Sequence, residues 1–297
     1  MKKLSIIIVN WNTKELLEKC LSSIYNYTKN IEFEIIISDN GSNDGSLEMI
    51  NTKFPSVILV QNGKNLGFGK ANNIAFKYCT GEYILFLNSD TEIFDNSIKI
   101  LYDFINSNSK IGACGGKLLF PDKSLQLSFG YFPSMLRILW ITLSGILHIK
   151  KNRKPMGVIP YNVMEPMQVD YVVGADLIVR KDVLNEIGLF DEIFFAYFEE
   201  TDLCFRIKKA NYEVWYVPQS EIIHIYGGSF KKFSKQKFEI FTTSQFKYYK
   251  KNLGYYRPLK YYFLLDYLMK MLIYYFKNPE KYEEQKNMYS ITKKVKI

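Results

Sequence analysis

The stretch Leu4-Ser5-Ile6-Ile7-Ile8-Val9 is an apolar run that stops at the polar residues Asn10-Trp11-Asn12. A continuous apolar run of this length is typical of a strand that is buried on both faces of a sheet. Leucine and isoleucine then recur at helical spacing over 13–25, and Asn12 or Thr13 is placed to cap the start of that helix. A buried strand followed at once by a helix predicts an α/β protein.

Further strands and a helix follow this first pair. Apolar runs at 33–38, 57–60 and 83–87 predict three more strands, and 71–78 predicts a helix between the last two. Strands that alternate with helices form parallel sheets with right-handed crossovers. We therefore expect a mostly parallel central sheet that is flanked by helices.

Each predicted strand leads into polar or glycine-bearing residues. In chain order these are Asn10-Trp11-Asn12, then Asp39, then Asn65-Leu66-Gly67-Phe68-Gly69, and finally Asn88 and Asp90. Ligands of open parallel sheets bind beyond the carboxyl ends of the strands, so this edge is the expected binding site. The alternative for either aspartate alone is a turn cap, but several such groups on one edge favour a site.

The composition excludes several classes of protein. The 297-residue chain is 47% hydrophobic and 23% charged, a balance that is typical of globular proteins and not of disordered or collagen-like chains. The four cysteines form no CxxC pair, which argues against a zinc ribbon or a disulfide framework.

Positive charge is concentrated at the end of the chain. Residues 1–229 carry 23 basic and 25 acidic side chains, whereas 230–297 carry 16 basic and 5 acidic ones. A nucleic-acid-binding enzyme usually spreads its positive charge over the working face, so we expect no nucleic-acid partner. The division predicts a body at 1–229 and a basic, aromatic, helical region at 230–297.

The apolar stretches of the chain are short or interrupted. The run 4–9 is too short for the core of a signal peptide. The stretch 135–149 contains an arginine, and 261–276 contains an aspartate and a lysine, so neither predicts a membrane span. We therefore expect a cytoplasmic protein.

Two common nucleotide-binding motifs are absent from the sequence. No GxGxxG follows the first strand, which argues against a dinucleotide-binding oxidoreductase. The segment 63–71 (GKNLGFGKA) has Phe68 where a phosphate-binding loop requires glycine, and Ala71 where it requires serine or threonine.

An ordered series of motifs carries a resemblance to a known family. The motifs are SIIIVNWN (5–12), ISDNGSNDGS (37–46), NLGFGKANN (65–73), LNSDT (87–91), GADLIVR (174–180), GLFDE (188–192), FFAYFEETDL (194–203) and PQSEIIHIYGGS (218–229). Together they resemble the family 2 glycosyltransferases with the GT-A nucleotide-sugar fold, and within that family the rhamnosyltransferase-like branch. The resemblance implies an inverting glycosyltransferase whose catalytic domain is 1–229.

The resemblance assigns nucleotide-sugar-binding positions along the strand ends. These positions are Val9, Trp11, Asp39, Asn65, Gly67 and Asn88. Trp11 takes the place of an aromatic that lies against the base, and Asp39 that of the carboxylate that accepts from a uracil or thymine imide. A flat π face and one acceptor suit a pyrimidine. The alternative for Trp11 is that it covers the sheet edge.

The resemblance also implies a divalent metal. Asn88-Ser89-Asp90 occupies the site of the family's DxD motif, so Asp90 is its only charged ligand. His224 matches a family histidine that approaches the metal or the diphosphate; a structural hydrogen bond is the alternative. Carboxylate and amide oxygens favour Mg²⁺ or Mn²⁺.

An acidic cluster supplies the candidate base. Glu200 matches the family's catalytic base but is one methylene longer than the usual aspartate, so Glu199 remains an alternative. We expect Asp202 to pair with Arg206 at helical spacing as structural support. Acidic residues that merely stabilise a helix N-terminus are the other interpretation of this cluster.

The basic C-terminal region suggests a membrane contact. Over 259–277, lysines recur near helical spacing beside apolar and aromatic residues. Such a helix in 258–297 suits the anionic inner face of the cell membrane and a glycan or lipid-linked acceptor. Packing on the body, or on a second subunit in a homodimer, is the alternative.

We therefore expect transfer of a sugar from a UDP- or dTDP-sugar in cell-surface polysaccharide biosynthesis, with rhamnose the leading donor sugar. A nucleotidyltransferase of similar fold is one alternative, although it normally has a basic glycine-rich loop after the first strand. A non-catalytic sugar-nucleotide-binding assembly protein is the other.

Overall fold

The strand Leu4–Asn10 (β1) lies inside a sheet between two parallel neighbours, Phe33–Asp39 (β2) and Tyr83–Asn88 (β4). Ile58–Gln61 (β3) extends the parallel part beyond β2. The computed structural model describes residues 3–135, 137–138, 163–225 and 234–297. The apolar run read from the sequence thus forms a strand with neighbours on both sides, as its composition predicts.

The sheet becomes mixed beyond β4. The added strands are Thr91–Ile93 (β5), Ile111–Leu119 (β6), Met167–Gln168 (β8), Asp176–Arg180 (β10) and Glu213–His224 (β11). In the described residues the order of the sheet is β3-β2-β1-β4-β10-β6-β11-β5, and the short strand β8 pairs with β11. Phe129–Gly130 (β7) and Tyr171–Val172 (β9) form a separate pair.

Helices pack on both faces of the large sheet, which confirms the α/β class. They are Lys14–Tyr27 (α1), Ser46–Lys53 (α2), Phe68–Phe76 (α3), Ser97–Asn106 (α4), Lys181–Ile187 (α5) and Glu199–Lys209 (α6). Ile6 and Ile8 belong to one buried cluster with α1 residues, whereas Ile7 belongs to a second cluster with residues of α3, α5 and α6. Alternate residues of β1 are therefore buried on opposite faces.

The chain divides into two compact units. The first contains 3–132, 163–192 and 199–225, and it holds the sheet. The described residues of the second are 133–135, 137–138, 193–198 and 234–297.

The second unit is helical. It contains Lys235–Tyr248 (α7), a short π-helical segment at Tyr249–Leu253, Arg257–Tyr274 (α8) and Pro279–Lys294 (α9). Phe246, Tyr248 and Leu259 are fully buried in its core. Asn278 caps α9 by accepting from the Lys281 amide at 3.0 Å.

Two sequence-based predictions fall partly on residues outside the described set. These are the boundary between 229 and 230 and most of the apolar stretch 135–149. Among the helices of the described residues, none combines the length and apolar character that crossing a membrane requires.

Candidate active site

The strand register brings the predicted rim residues to one edge of the sheet. Asn10 pairs with Asp39 across β1 and β2, and Val9 pairs with Asn88 across β1 and β4. Because β1, β2 and β4 are parallel, their carboxyl ends meet at the same edge. Thr13 ties two of these ends together, since its hydroxyl donates to Asn10 Oδ1 at 2.7 Å and lies 2.9 Å from Ser89 Oγ.

Asp39 is a buried, rigidly held carboxylate. Its Oδ1 accepts from Asn10 Nδ2 at 2.7 Å, and its Oδ2 accepts from the amides of Gly41 and Ser42 at 3.1 and 2.9 Å. A carboxylate has about four lone-pair sites, so these three bonds leave one acceptor direction. The carboxylate is thus oriented before any ligand arrives.

Trp11 projects from the loop that follows β1, and 53% of its surface is exposed. The loop around it is fixed to the turn after β2. Ser42 Oγ accepts from the main-chain N–H of Asn12 at 2.9 Å, and Asn12 Oδ1 accepts from the main-chain N–H of Asn43 at 2.8 Å. A large exposed ring on a fixed loop is a surface on which a planar ligand can stack.

Asn65 and Gly67 shape the loop before α3. Asn65 Oδ1 accepts from the Gly67 amide at 2.9 Å, and Gly67 has a φ of 83°, which favours glycine. Asn40 Nδ2 donates to the Gly67 carbonyl at 3.1 Å and so joins this loop to the end of β2. A Cβ added to Gly69 would lie 3.0 Å from the Phe190 Cβ, so that position requires a small residue.

Asn88, Asp90 and His224 converge at the end of β4. His224 ends β11, which pairs with β5, and its Nε2 lies 3.2 Å from Asn88 Nδ2 and 3.3 Å from Asp90 Oδ1. The Asp90 carbonyl accepts from the Ile225 amide at 2.9 Å, which fastens the end of β11 to this turn. The two candidate metal ligands are therefore neighbours although 134 positions separate them in the sequence.

Gln126 fixes the orientation of the His224 ring. His224 Nδ1 lies 2.6 Å from Gln126 Oε1, which accepts only, so Nδ1 carries the proton and donates. Gln126 Nε2 donates in turn to the His224 carbonyl at 3.2 Å. Nε2 is then the ring nitrogen that can accept, and it faces Asn88 Nδ2 and Asp90 Oδ1.

This arrangement fits a divalent cation. His224 Nε2 and a carboxylate oxygen of Asp90 lie 3.3 Å apart, and both atoms can serve as ligands of a divalent cation. In the described part of the chain, no cluster of three or more His, Cys, Asp or Glu side chains is arranged to hold a metal. A cation here would therefore take two or three ligands from the protein and the rest from a bound substrate.

Glu199 and Glu200 begin α6 and approach the same edge. A Cβ added to Gly174 would lie 3.3 Å from the Glu200 Cβ. The carbonyl of the next residue, Ala175, accepts from the main-chain N–H of Asn88 at 3.0 Å. A Cβ added to Gly69 would lie 3.8 Å from the Glu199 Cβ. The acids thus lie beside both the end of β4 and the loop before α3.

Burial perturbs the pKa values of both acids. Oε2 of Glu199 and Oε2 of Glu200 are shielded from solvent and have no hydrogen-bond partner. Loss of solvation raises the pKa of Glu200 to about 7. Loss of solvation and the neighbouring charge of Glu200 raise the pKa of Glu199 well above its usual value. A carboxyl group with a pKa near neutrality is suited to accept a proton.

Asp202 has the structural role that its spacing predicts. Its Oδ2 accepts from Arg206 Nε at 2.9 Å, and the guanidinium also donates to the carbonyls of 187–189. This confirms the expected helical ion pair.

Tyr197 and Phe198, which precede Glu199, have φ values of 67° and 68°, a costly conformation for aromatic residues.

Sequence reasoning missed three side chains at this edge. The sequence places Asn10 on the rim but does not show that its side chain holds Asp39. Gln126 carries no local motif. Asp176 lay in a quoted motif without a role; it is buried, accepts from the Gly116 amide at 2.7 Å, and loss of solvation raises its pKa to about 7.

A largely parallel sheet with a polar rim at its strand ends, faced by an acidic helix N-terminus, is the architecture of the GT-A glycosyltransferases. The family model described as glycosyl transferase family 2 matches residues 5–169, more than half of the chain. The chain belongs to this family and is a glycosyltransferase.

Three of the relatives are named as rhamnosyltransferases. The N-acetylglucosaminyl-diphospho-decaprenol L-rhamnosyltransferase of Mycobacterium tuberculosis is 26% identical over 245 residues, which cover 74% of this chain and 75% of that protein. Rhamnosyltransferase WbbL of Escherichia coli K12 is 27% identical over 82% of this chain and 91% of its own length. The dTDP-rhamnosyl transferase RfbF of Shigella flexneri is 26% identical over 74% of this chain and 68% of its own length. These comparisons confirm the rhamnosyltransferase-like resemblance.

Proposed function

We propose that this enzyme transfers a sugar with inversion from a UDP- or dTDP-sugar to a glycan or lipid-linked acceptor, and that rhamnose is the donor sugar. The observation that carries the proposal is one edge of the sheet. It brings the Asp90 and His224 pair together with Asp39 and with Glu200, whose Oε2 has no hydrogen-bond partner, in a family 2 glycosyltransferase. In this proposal, 1–229 is the catalytic domain.

The names of the relatives support the choice of donor and acceptor. One is named for dTDP-rhamnose as its donor, and another for a diphospho-decaprenol acceptor, which is a lipid diphosphate. Trp11 and Asp39 suit the base of such a donor, because one offers a ring face and the other an imide acceptor. Val9, Asn65, Gly67 and Asn88 complete the proposed nucleotide-sugar site.

The proposed mechanism assigns one task to each group. Asp90 and His224, with the Asn88 amide oxygen after rotation of that side chain, would hold Mg²⁺ or Mn²⁺, which offsets the charge of the departing diphosphate when bound. Glu200 takes the proton from the attacking acceptor hydroxyl. Glu199 lies next to it in α6 and is the alternative base; burial and the charge of Glu200 raise its pKa well above the usual value.

A donor panel tests the assignment. The enzyme is incubated with UDP-glucose, UDP-galactose, dTDP-glucose and dTDP-rhamnose, and release of nucleoside diphosphate is measured with a lipid diphosphate acceptor. We expect the highest rate with dTDP-rhamnose. Transfer of a nucleotide to the acceptor would indicate a nucleotidyltransferase, and absence of release with every donor would indicate an assembly protein.

Gln126 provides a separate prediction about metal binding. Replacing it by leucine removes the acceptor that holds His224 Nδ1, so we expect the Mn²⁺ affinity in the presence of UDP to fall about 10- to 100-fold. Electron paramagnetic resonance of free Mn²⁺ measures this directly. Gln126→Glu keeps an acceptor and should retain most of the Mn²⁺ affinity. Gln219→Leu, which makes the same change at an exposed position of β11, is the matched control. Unchanged Mn²⁺ binding in Gln126→Leu would contradict the proposed role of His224.

Membrane contact is proposed for the region 258–297. Large apolar side chains recur every three or four residues along the exposed face of α8 and just beyond it. They are Tyr261, Leu265, Leu268, Met269, Leu272, Ile273, Tyr275 and Phe276, which we call the apolar stripe. Phe276 is 91% exposed. With a net charge of +11 over 230–297, this stripe suits the anionic cytoplasmic leaflet.

Vesicle sedimentation tests the membrane contact. We expect the double variant Leu272→Ser, Phe276→Ser to bind anionic vesicles at least about tenfold more weakly, because two exposed anchors are lost. Leu127→Ser, an exposed leucine of the first unit, is the control. Unchanged partitioning would contradict the proposal, and a dimer that the double variant disrupts would assign the stripe to a subunit interface.

A further inference from the structure

The second unit contains a groove with two chemically different ends. It has a volume of about 570 Å³ and runs along α8 where the C-terminal part of α9 lies beside it. One part is lined by the basic residues Arg257, Lys260 and Lys293, and the other by Leu264, Leu265 and Leu268. Of the described residues that line it, none is acidic.

Among the described residues, no carboxylate side chain forms an ion pair with Arg257, Lys260 or Lys293 of the groove. Lys260 Nζ donates to the carbonyls of Lys293 and Val295 at 3.0 and 2.6 Å, which are uncharged acceptors. Lys293 Nζ lies 5.9 Å from the centre of the Tyr289 ring. The main-chain oxygen of Ile297 accepts from Tyr256 at 3.4 Å, and even with a terminal carboxylate counted there the positive charge is in excess.

The leucine part of the groove continues onto the protein surface. Leu265 and Leu268 line the groove and also belong to the apolar stripe. From Arg257 to Leu268 the helix rises by about 16 Å, since each residue adds about 1.5 Å. A ligand that fills this length needs an anionic group at one end and a hydrocarbon chain at the other.

We propose that this groove binds a membrane phospholipid, with its phosphate against Arg257, Lys260 and Lys293 and its acyl chain along the leucines. The inference rests on the membrane contact proposed above and names what that contact recognises. Charged nitrogen donors are suited to phosphate oxygens, and the leucines provide an apolar surface for the chain. A second copy of this chain is a poorer occupant, because it would bring another strongly basic region to the same face.

Soluble short-chain lipids test the groove without a bilayer. Full-length protein is titrated by calorimetry with dihexanoyl phosphatidic acid below its micelle concentration, with dihexanoyl phosphatidylcholine and with inorganic phosphate. We expect phosphatidic acid to bind at least about tenfold more tightly than the other two, because only it combines a chain with an uncompensated phosphate. Equal affinity for inorganic phosphate would overturn the lipid assignment.

Charge variants locate the site. Arg257→Gln with Lys293→Gln should weaken phosphatidic acid binding at least about tenfold, whereas Lys281→Gln with Lys286→Gln removes the same charge from α9 outside the groove and should not. Leu265→Ser should weaken it as well. Equal binding by the two double variants would overturn the proposal. UDP binding with Mn²⁺, measured on the same samples, shows separately whether the transferase proposal holds.

Discussion

Glu200→Gln is expected to lower kcat by about 10³-fold while the affinity for the nucleotide donor is retained. The reason is that glutamine keeps the shape of the side chain but cannot accept the proton of the acceptor hydroxyl, and general base catalysis typically contributes factors of 10² to 10⁴. Steady-state kinetics with a saturating donor measure the effect, and calorimetry with UDP measures the donor affinity.

Two variants serve as comparisons for this prediction. Glu192→Gln makes the same change in an acid that pairs with Lys70 at the surface, and it should leave turnover unchanged. Glu199→Gln should retain far more activity than Glu200→Gln, because Glu200 is the position that matches the family's catalytic base. Full turnover in Glu200→Gln, with loss in Glu199→Gln, would transfer the role to Glu199.

The pH dependence of the reaction follows from the same group. Since burial raises the pKa of Glu200 to about 7, the base is protonated at lower pH, and kcat/KM of the free enzyme should fall about tenfold for each pH unit below 7. A profile that stays flat from pH 5 to 8 would contradict a base with this pKa.

Stability should depend on pH in the opposite direction. Folding raises the pKa of this carboxyl group from 4.5 to about 7. Its contribution to the stability of the folded state is therefore fully present below pH 4.5 and is lost as the pH rises through 7. Glu200→Gln carries no charge at any pH, so its Tm should exceed that of the wild type at pH 8, with the difference diminishing toward pH 5.

Asp90→Asn is expected to reduce Mn²⁺-dependent turnover by about 10²- to 10³-fold. Asp90 supplies the carboxylate that faces His224, and its replacement leaves a cation and the departing diphosphate without that charge. The measurement is turnover as a function of Mn²⁺ concentration, where the variant should require far more metal.

Asp95→Asn is the matched control for this second prediction. It makes the same substitution five positions away, at an exposed residue with a φ of 48°, a conformation that asparagine also tolerates. Asp95→Asn should behave as the wild type. Equal turnover in Asp90→Asn and Asp95→Asn at every Mn²⁺ concentration would remove Asp90 from the proposed site.

The ends of the first strands could be predicted from the sequence because burial leaves a simple pattern. A strand that is covered on both faces reads as an unbroken apolar run, so the polar residue that ends it, such as Asp39 or Asn88, marks the sheet edge. Parallel strands then place those residues side by side. The ion pair of Asp202 and Arg206 was predictable for a similar reason, since helical spacing alone brings them together.

Other contacts depend on the tertiary fold and leave no local pattern. Gln126 holds His224 across 98 positions, and nothing in the neighbouring sequence distinguishes it from a surface glutamine. The expected side-chain cap of α1 was wrong, because the Thr13 hydroxyl bonds Asn10 while Asp44 Oδ2 accepts from the Lys14 amide. The raised pKa values of Glu199 and Glu200 likewise depend on burial in the folded chain.

Calorimetric titration of UDP and dTDP, with and without Mn²⁺, tests most directly whether a nucleotide and a cation share this edge of the sheet. For the wild type we expect binding that requires Mn²⁺. For Asp39→Ala we expect affinity at least about 30-fold weaker, because a hydrogen bond to a buried carboxylate is worth about 2 kcal/mol. A thermal melt of each protein checks that the variant is folded. Binding by folded Asp39→Ala that equals the wild type, or binding that is indifferent to Mn²⁺ in both, would contradict the account.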